Sequence, residues 1–141
     1  MVRSLNTYNY IMNLNSQFEL IALTLYWAEG SKYRKRVEIT NSDSKVIDIF
    51  SRFLLLHCSV PKDKLKGRLQ IHDKKNIKSA IKFWSKISGV PENSISVTLK
   101  ANKKSNKTNK HKNGIFSVRY NSVGLKKLID EAIDAIKCLG S

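Results

Sequence analysis

Acidic residues, cysteines and long apolar runs are scarce in this chain, and each shortage excludes a class of protein. Only 11 of the 141 residues are Asp or Glu against 26 Lys or Arg, which gives a formal net charge of +15 at pH 7. Such a surplus attracts polyphosphates or an anionic membrane surface. No stretch approaches the roughly 20 apolar residues of a membrane span, and four asparagines between residues 6 and 15 interrupt any signal segment. We therefore expect an intracellular protein (cytoplasm, nucleoid or organelle) that is not secreted and does not bind membranes.

The cysteines and histidines argue against a disulfide framework and against a zinc site. Cys58 and Cys138 lie in apolar helical patterns, as buried thiols of an intracellular protein do. His57, His72 and His111 show no metal-ligand spacing with either cysteine. The length suits one domain, spanning the whole chain, that buries a core of its own.

Hydrophobic periodicity predicts helices interleaved with strands. The segment Ser16–Glu19 is a capping box, which starts a helix at about residue 17. This helix ends near Ala28 and is apolar on nearly every face, which predicts burial in a core or at a subunit interface. We expect an N-terminal arm before it and a mobile basic hairpin loop at 101–114, which has five lysines and no acid. The other segments are predicted as strands near 36–40, 68–72, 94–100 and 115–120, and as helices near 44–57, 73–88 and 123–138.

Each predicted strand alternates apolar and polar residues, so the two faces of the sheet differ. One face is predicted to pack on helices and the other to meet solvent. The polar face combines positive charge with groups that address base edges, since Arg suits guanine while Gln and Asn suit adenine. It contains only one acid, Glu38. We interpret it as a nucleic-acid-binding face, with a plain solvated face as the alternative. The apolar positions are Val37, Ile39, Leu69, Ile71, Ile95, Val97, Leu99, Phe116, Val118 and Tyr120.

The acid at the end of the first helix is unusually placed. Glu29 closes an almost uncharged helix pattern, where the partial negative charge of the helix C-terminus repels a carboxylate. Gly30 follows at once and is predicted to adopt the left-handed conformation past the helix end. A divalent cation beside the carboxylate and the last carbonyl oxygens would relieve the repulsion. An ordinary surface glutamate is the alternative interpretation.

The stretch from Ala22 to Gly30 resembles the motif of the LAGLIDADG homing endonucleases. Leu25, Ala28 and Gly30 match the motif, and Glu29 stands at its last acidic position. The resemblance implies an α/β (α+β) fold in which a curved antiparallel sheet has helices on one face and an exposed basic face over DNA. Two departures are the bulky Trp27 and an extra strand–helix unit at about 68–89. A similar stretch at 125–132 is rejected as a second motif because two lysines would lie where helices approach closely.

One motif implies a homodimer, which would act on double-stranded DNA with a pseudo-palindromic site. The resemblance further implies hydrolysis of phosphodiester bonds with Mg²⁺ or another divalent cation. The catalytic residues would be Glu29 and Lys100, and the metal ligands Glu29 and the backbone carbonyl of Ala28. The expected dimer interface contains Leu20, Leu23, Thr24, Trp27 and Ala28. The expected DNA-binding residues are Lys32, Arg34, Lys35, Arg36, Glu38, Thr40, Arg68, Gln70, His72, Thr98, Lys100, Lys103, Lys104, Lys107, Lys110, Lys112, Arg119 and Asn121.

Two other function classes remain open. A DNA-binding regulator that does not cleave would need the basic face and the dimer helix but no metal. An RNA-binding or ribosomal-type protein would explain the net charge, but not the Glu29–Gly30 helix end.

Overall fold

The computed structural model describes residues 17–100 and 112–139, which form four α-helices and four β-strands. Short 3₁₀ turns at 62–64, 74–76 and 92–94 lie between them. The predicted arm at 1–15 and most of the predicted loop lie outside the described residues. The helices are α1 (Gln17–Glu29), α2 (Ser44–Arg52), α3 (Ile77–Ser88) and α4 (Val123–Leu139). The strands are β1 (Val37–Asn41), β2 (Lys66–Ile71), β3 (Ile95–Leu99) and β4 (Ile115–Tyr120).

The four strands form one mixed sheet in the order β1-β4-β2-β3. Strand β4 is antiparallel to β1 and to β2, whereas β2 and β3 are parallel. The prediction of an antiparallel sheet is therefore wrong for this last pair. Parallel neighbours need a crossover connection, and α3 supplies it, so the extra strand–helix unit adds β3 as an edge strand. In the sheet, β2 lies between β3 and β4, the strands on either side of the segment 101–114, and residues 101–111 lie outside the described residues.

The core lies on one side of the sheet, where the helices cover it. The predicted apolar positions of β1, β2 and β4 are completely buried, with the exception of the half-buried Tyr120. In the middle of this core, Trp84 of α3 stacks on Phe116 at a centroid distance of 5.1 Å. Two predicted core residues of β3 are instead exposed, Val97 by 37% and Leu99 by 51%. An edge strand has a neighbour on one side only, so fewer side chains cover it.

Helix α1 is buried on one side only, so the expected all-round burial does not occur within the protomer. Its inner side contributes Ala22, Leu23 and Tyr26 to the core. Leu23 is 1% exposed, so its assignment to a dimer interface is wrong. The residues on the opposite side are apolar and exposed: Leu20, Ile21 and Trp27.

Local signals at the other helices agree with the sequence. The Asp43 carboxylate accepts a hydrogen bond from the Lys45 amide at 2.9 Å and caps α2. A π-helical turn at Phe53–His57 continues α2 to the predicted end. Gly89 closes α3 in the left-handed conformation, with φ of 77°. Within the ranges that the structure describes, none of the helices has the length and apolar content that a bilayer crossing demands.

Candidate nucleic-acid interface and the end of helix α1

The side chains on the helix-free face of the sheet, here called the polar face, form rows across the strands. Strand register places Arg119 of β4 between Glu38 of β1 and Lys66 of β2. The next row joins all four strands, and a third joins β4, β2 and β3. Basic and hydrogen-bonding groups are thus brought together from segments far apart in the sequence. The second row contains Thr40, Ser117, Arg68 and Ser96, and the third contains Ile115, Gln70 and Thr98.

The only acid in these rows is held by two arginines. The Glu38 Oε2 atom accepts a hydrogen bond from Arg119 Nε at 3.0 Å and forms an ion pair with Arg119 Nη2 at 2.9 Å. The other carboxylate oxygen, Oε1, accepts from Arg36 Nε at 3.3 Å. The carboxylate of Glu38 is therefore engaged within the protein, which weakens the prediction that it contacts a base directly.

The rest of the polar face offers accessible donors. The side chains of Lys66 and Arg68 are exposed. Arg68 Nε donates to Thr98 Oγ1 at 3.3 Å, which orients the guanidinium along the sheet. The hydroxyls of Thr40 and Ser117 are 2.7 Å apart and satisfy each other. A ligand on this face would therefore meet cations and partly ordered donors, with no unpaired acid among the three rows.

Helix α1 ends against the first strand because Gly30 allows a very close approach. The Gly30 amide donates to Tyr26 O at 2.7 Å, and Gly30 forms an antiparallel bridge with Ile39 of β1. A Cβ atom on Gly30 would lie 2.5 Å from Tyr26 O. The left-handed conformation predicted for Gly30 is wrong, since the described glycines with positive φ are Gly89 and Gly114. Glycine is required here for space and not for its backbone freedom.

Tyr26 links this helix end to the polar face. Its hydroxyl donates to Ser31 O at 3.2 Å and accepts a hydrogen bond from the Glu38 amide at 3.3 Å. The side chain is almost fully buried and stacks on Phe50 at 5.0 Å. Burial is the main reason why the pKa of Tyr26 rises to about 12.

The predicted metal ligand is accessible, but one protomer supplies few ligands. Glu29 is the last residue of α1 and is exposed, and its carboxylate makes no ion pair with another described residue. The described ranges contain no group of three or more His, Cys, Asp or Glu residues able to hold a metal ion. Mg²⁺ is usually held by one or two carboxylates together with substrate phosphate oxygens. The donors here fit such an ion when a second Glu29 and a bound phosphate complete the set.

The two predicted catalytic residues are not brought together within one chain. Glu29 lies beside β1, whereas Lys100 follows β3 at the opposite edge of the sheet. Three strand spacings separate these edges, which is about 14 Å. The Lys100 amide donates to Ile71 O at 2.9 Å, and Lys100 O contacts His72 Nδ1 at 3.1 Å. This position suits contact with a ligand at the far edge of the polar face.

A basic loop with an exposed aromatic ring follows Glu29 and Gly30. Tyr33 is 48% exposed, and the Arg36 guanidinium carbon lies 4.8 Å from the centroid of its ring. The Tyr33 amide is fixed by a hydrogen bond to Ser31 Oγ at 3.1 Å. Tyr33 is not among the residues predicted from the sequence, although an aromatic residue among basic ones was the available signal. The predicted DNA-binding residues in this loop are Lys32, Arg34, Lys35 and Arg36, of which the first three are exposed.

The remaining predicted DNA-binding residues lie at strand ends. His72, Lys112 and Asn121 are exposed, at the ends of β2 and β4. The lysines at 103, 104, 107 and 110 lie outside the described residues. The rejected second motif belongs to α4, where Lys126 is 4% exposed, lies 5.3 Å from the ring centroid of Tyr26 and pairs with Asp130 at 2.7 Å. That segment is part of the contact between α4 and α1 within the protomer.

Comparison with known proteins adds no assignment. Neither a family model, nor a curated protein, nor a solved structure matches the chain. The LAGLIDADG resemblance therefore stays a prediction, and function has to be inferred from the residues and geometry of the chain itself.

Proposed function

We propose that the chain is a sequence-specific endonuclease for double-stranded DNA that acts as a homodimer with divalent metal ions. The observation that carries this proposal is the polar face. It brings cations from two neighbouring strands together, Lys66 and Arg68 of β2 and Arg119 of β4, and its rows contain a single acid, which two arginines neutralise. A duplex offers the complementary surface, since it carries one negative charge per about 1.7 Å of helix axis.

The chemistry of the polar face suits the major groove. Two neighbouring strands lie about 5 Å apart and fit within the groove, which is about 12 Å wide and admits a two-stranded ribbon. Arg68 and Arg119 present guanidinium groups that match guanine, and Gln70 presents an amide that matches adenine. Exposed lysines around the face would contact phosphates, which position the protein without specifying a sequence.

The exposed side of α1 supports a two-fold dimer. Leu20, Ile21 and Trp27 are between 40% and 49% exposed along one helix face. The hydroxyl of the exposed Thr24 on the same face donates to Leu20 O at 2.8 Å, so its hydrogen-bonding need is met within the helix. A self-complementary contact between two such faces would bury them. It would also place the two α1 helices, each ending in Glu29, at one interface.

The proposed cleavage rests on these two helix ends. The Glu29 carboxylates and the Ala28 carbonyl oxygens would hold the metal, in a position where the helix dipole disfavours an unpaired acid. The metal would supply an activated water and stabilise the leaving oxygen. The chain's own contribution is to bind the phosphates through the polar face and to hold the two carboxylates at the dyad.

The variant Glu29→Gln tests the proposal, because it keeps the shape of the side chain and removes the charge. It should fold, gain about 0.3–1 kcal/mol of stability as an acid leaves the helix C-terminus, and still bind DNA. Cleavage of plasmid and phage DNA libraries with Mg²⁺ should fall by orders of magnitude, since activation of water depends on the metal. Cleavage equal to wild type would place the metal elsewhere.

A DNA-binding protein that does not cleave is the second candidate. It is favoured by the lack of a three-ligand acidic cluster among residues 17–100 and 112–139. Wild-type protein that binds a selected duplex tightly but cuts no DNA, including DNA from its own genomic locus, would establish this alternative. Wild-type protein that prefers RNA over every duplex would exclude both candidates.

A further inference from the structure

We propose that Glu38 is a positioning residue that presets Arg119 and Arg36 for base recognition. The inference deepens the proposed DNA-binding function and rests on it. Glu38 acts through the arginines and does not touch the DNA itself. Its loss should lower sequence preference without lowering the affinity for unrelated DNA.

The geometry of the cluster leaves one edge of Arg119 for a ligand. A guanidinium carries five N–H donors in a rigid fork. Glu38 Oε2 takes up the edge formed by Nε and Nη2, with distances of 3.0 and 2.9 Å. The remaining edge, formed by Nη1 and Nη2, has two donors that can pair with O6 and N7 of guanine. A carboxylate behind the guanidinium therefore selects the orientation that recognises a base.

The carboxylate is itself held firmly. The Glu38 amide donates to Tyr26 Oη at 3.3 Å, and its carbonyl accepts from the Ser31 amide at 2.8 Å. Its side chain is only 13% exposed. The Cα atoms of Glu38 and Arg119 are register partners in neighbouring strands. The position of the carboxylate is thus fixed by the end of α1 on one side and by β4 on the other.

Arg36 is oriented by two contacts. Its Nε donates to Glu38 Oε1 at 3.3 Å, and its guanidinium carbon lies 4.8 Å from the Tyr33 ring centroid. Tyr33, Arg36, Glu38 and Arg119 therefore form a continuous line from the basic loop to the centre of the sheet. We infer that this line orders two long side chains before DNA arrives, which reduces the entropy lost on binding.

Removing the charge of Glu38 should change specific and non-specific binding in opposite directions. The polar face would lose its only acid, so attraction to any duplex should increase, most clearly at low salt. The arginines would lose the partner that orients them, so the penalty for a wrong base should decrease. A merely structural residue would weaken binding to all sequences together through partial unfolding.

The test compares Glu38→Gln with Glu92→Gln, which removes the same charge from an exposed turn before β3. Selection of sites from randomised duplexes gives the base preference at each position for wild type and both variants. For Glu38→Gln we expect the preference at one position per half-site to fall roughly tenfold, within the usual range for one bidentate contact. Affinity for unrelated DNA should not fall. Glu92→Gln should keep the wild-type preference at every position.

A second readout needs no DNA. The Nε–H resonance of Arg119 should be sharp and slow to exchange in wild type and Glu92→Gln, and should broaden or exchange quickly in Glu38→Gln. An unchanged resonance, or a Glu38→Gln variant with wild-type preference at all positions, would overturn the positioning role and leave the proposed function intact. Wild-type protein that selects no duplex would refute the proposed function and this inference together. Thermal melts of all three proteins identify a loss of preference that comes from unfolding.

Discussion

Gly30→Ala is the substitution that best tests how the end of helix α1, the proposed metal site, is built. A Cβ atom at this position would lie 2.5 Å from the Tyr26 carbonyl oxygen and 2.6 Å from two ring atoms of the same residue. Real Cβ contacts essentially never fall below 3.0 Å, so the helix end or the ring would have to move. The ring cannot move easily, because it stacks on Phe50 and its hydroxyl bonds Ser31 and Glu38.

The expected cost follows from this overlap. Forcing one methyl group into a closely packed site costs about 1–3 kcal/mol. The smaller entropy of the unfolded alanine chain offsets about 0.4–1 kcal/mol of that cost. A net loss of about 1–2 kcal/mol corresponds to a decrease in Tm of roughly 3–8 °C for a domain of this size. Separation of Gly30 from β1 would also displace Glu29, so the proposed cleavage should fall together with stability.

Two further variants, compared by urea and thermal unfolding, distinguish a steric requirement for glycine at position 30 from a requirement for the left-handed backbone conformation. Gly124→Ala is the matched control, because a Cβ atom at Gly124 in α4 would have no atom from elsewhere in the described parts of the chain within 4 Å. This control should gain about 0.5–1 kcal/mol from helix propensity. Gly30→Asn should be worse than Gly30→Ala, since the larger side chain overlaps more. If asparagine is instead the better replacement, Gly30 adopts the left-handed conformation and the steric explanation is wrong.

Three other outcomes are expected. Burial, together with the negative charge of Glu19, raises the pKa of the Cys58 thiol to about 12. A maleimide at pH 8 should therefore label the exposed Cys138 first and Cys58 only after unfolding, which peptide mass spectrometry would show. The pKa of Tyr26 rises from 10.0 to about 12, so its neutral phenol contributes about 2–3 kcal/mol to the free energy of unfolding. This contribution is complete below pH 10 and is lost as the pH approaches 12. Denaturant titrations from pH 8 to 12 should show the loss in wild type and not in Tyr26→Phe. Ile21 is 49% exposed on the proposed dimer face, so Ile21→Glu should leave folding intact and yield a monomer in sedimentation. Leu23 is fully packed in the protomer, so Leu23→Ala should instead cost about 2–5 kcal/mol of folding stability.

Local sequence signals predicted the elements of the fold well, because each signal acts within a few residues. Asp43 caps α2 through the Lys45 amide, and Ser122 caps α4 through the Leu125 amide at 3.0 Å. The strand β4 has the predicted bounds, and its alternation separates core from polar face. Helix caps and alternation need no information about distant segments, so the sequence alone is sufficient for them.

Strand pairing could not be read in the same way, because partner choice depends on distant segments. The alternation of β2 does not distinguish a parallel neighbour from an antiparallel one. Lys66 was missed on the polar face because the predicted strand began two residues too late. Gly67 hides the alternation: it lies on the core side, where a Cβ atom would lie 2.5 Å from the Phe116 ring. A glycine that makes room for an aromatic neighbour looks like a strand end in the sequence.

The environment of the acids is the strongest physical reason to expect that Glu29 has a function. Other acids in the described ranges occupy favourable positions. Glu38 binds arginines and Asp130 binds Lys126. Asp63 and Glu92 lie in the first turn of short 3₁₀ segments, where backbone N–H groups favour a negative charge. Glu29 has none of these advantages, because it ends a helix and has no cationic partner in the part of the chain that the structure describes. A chain with 26 Lys and Arg residues could readily have supplied one. An unfavourably placed charge without a compensating contact is expected at functional sites. For a carboxylate, the simplest compensation is a bound cation.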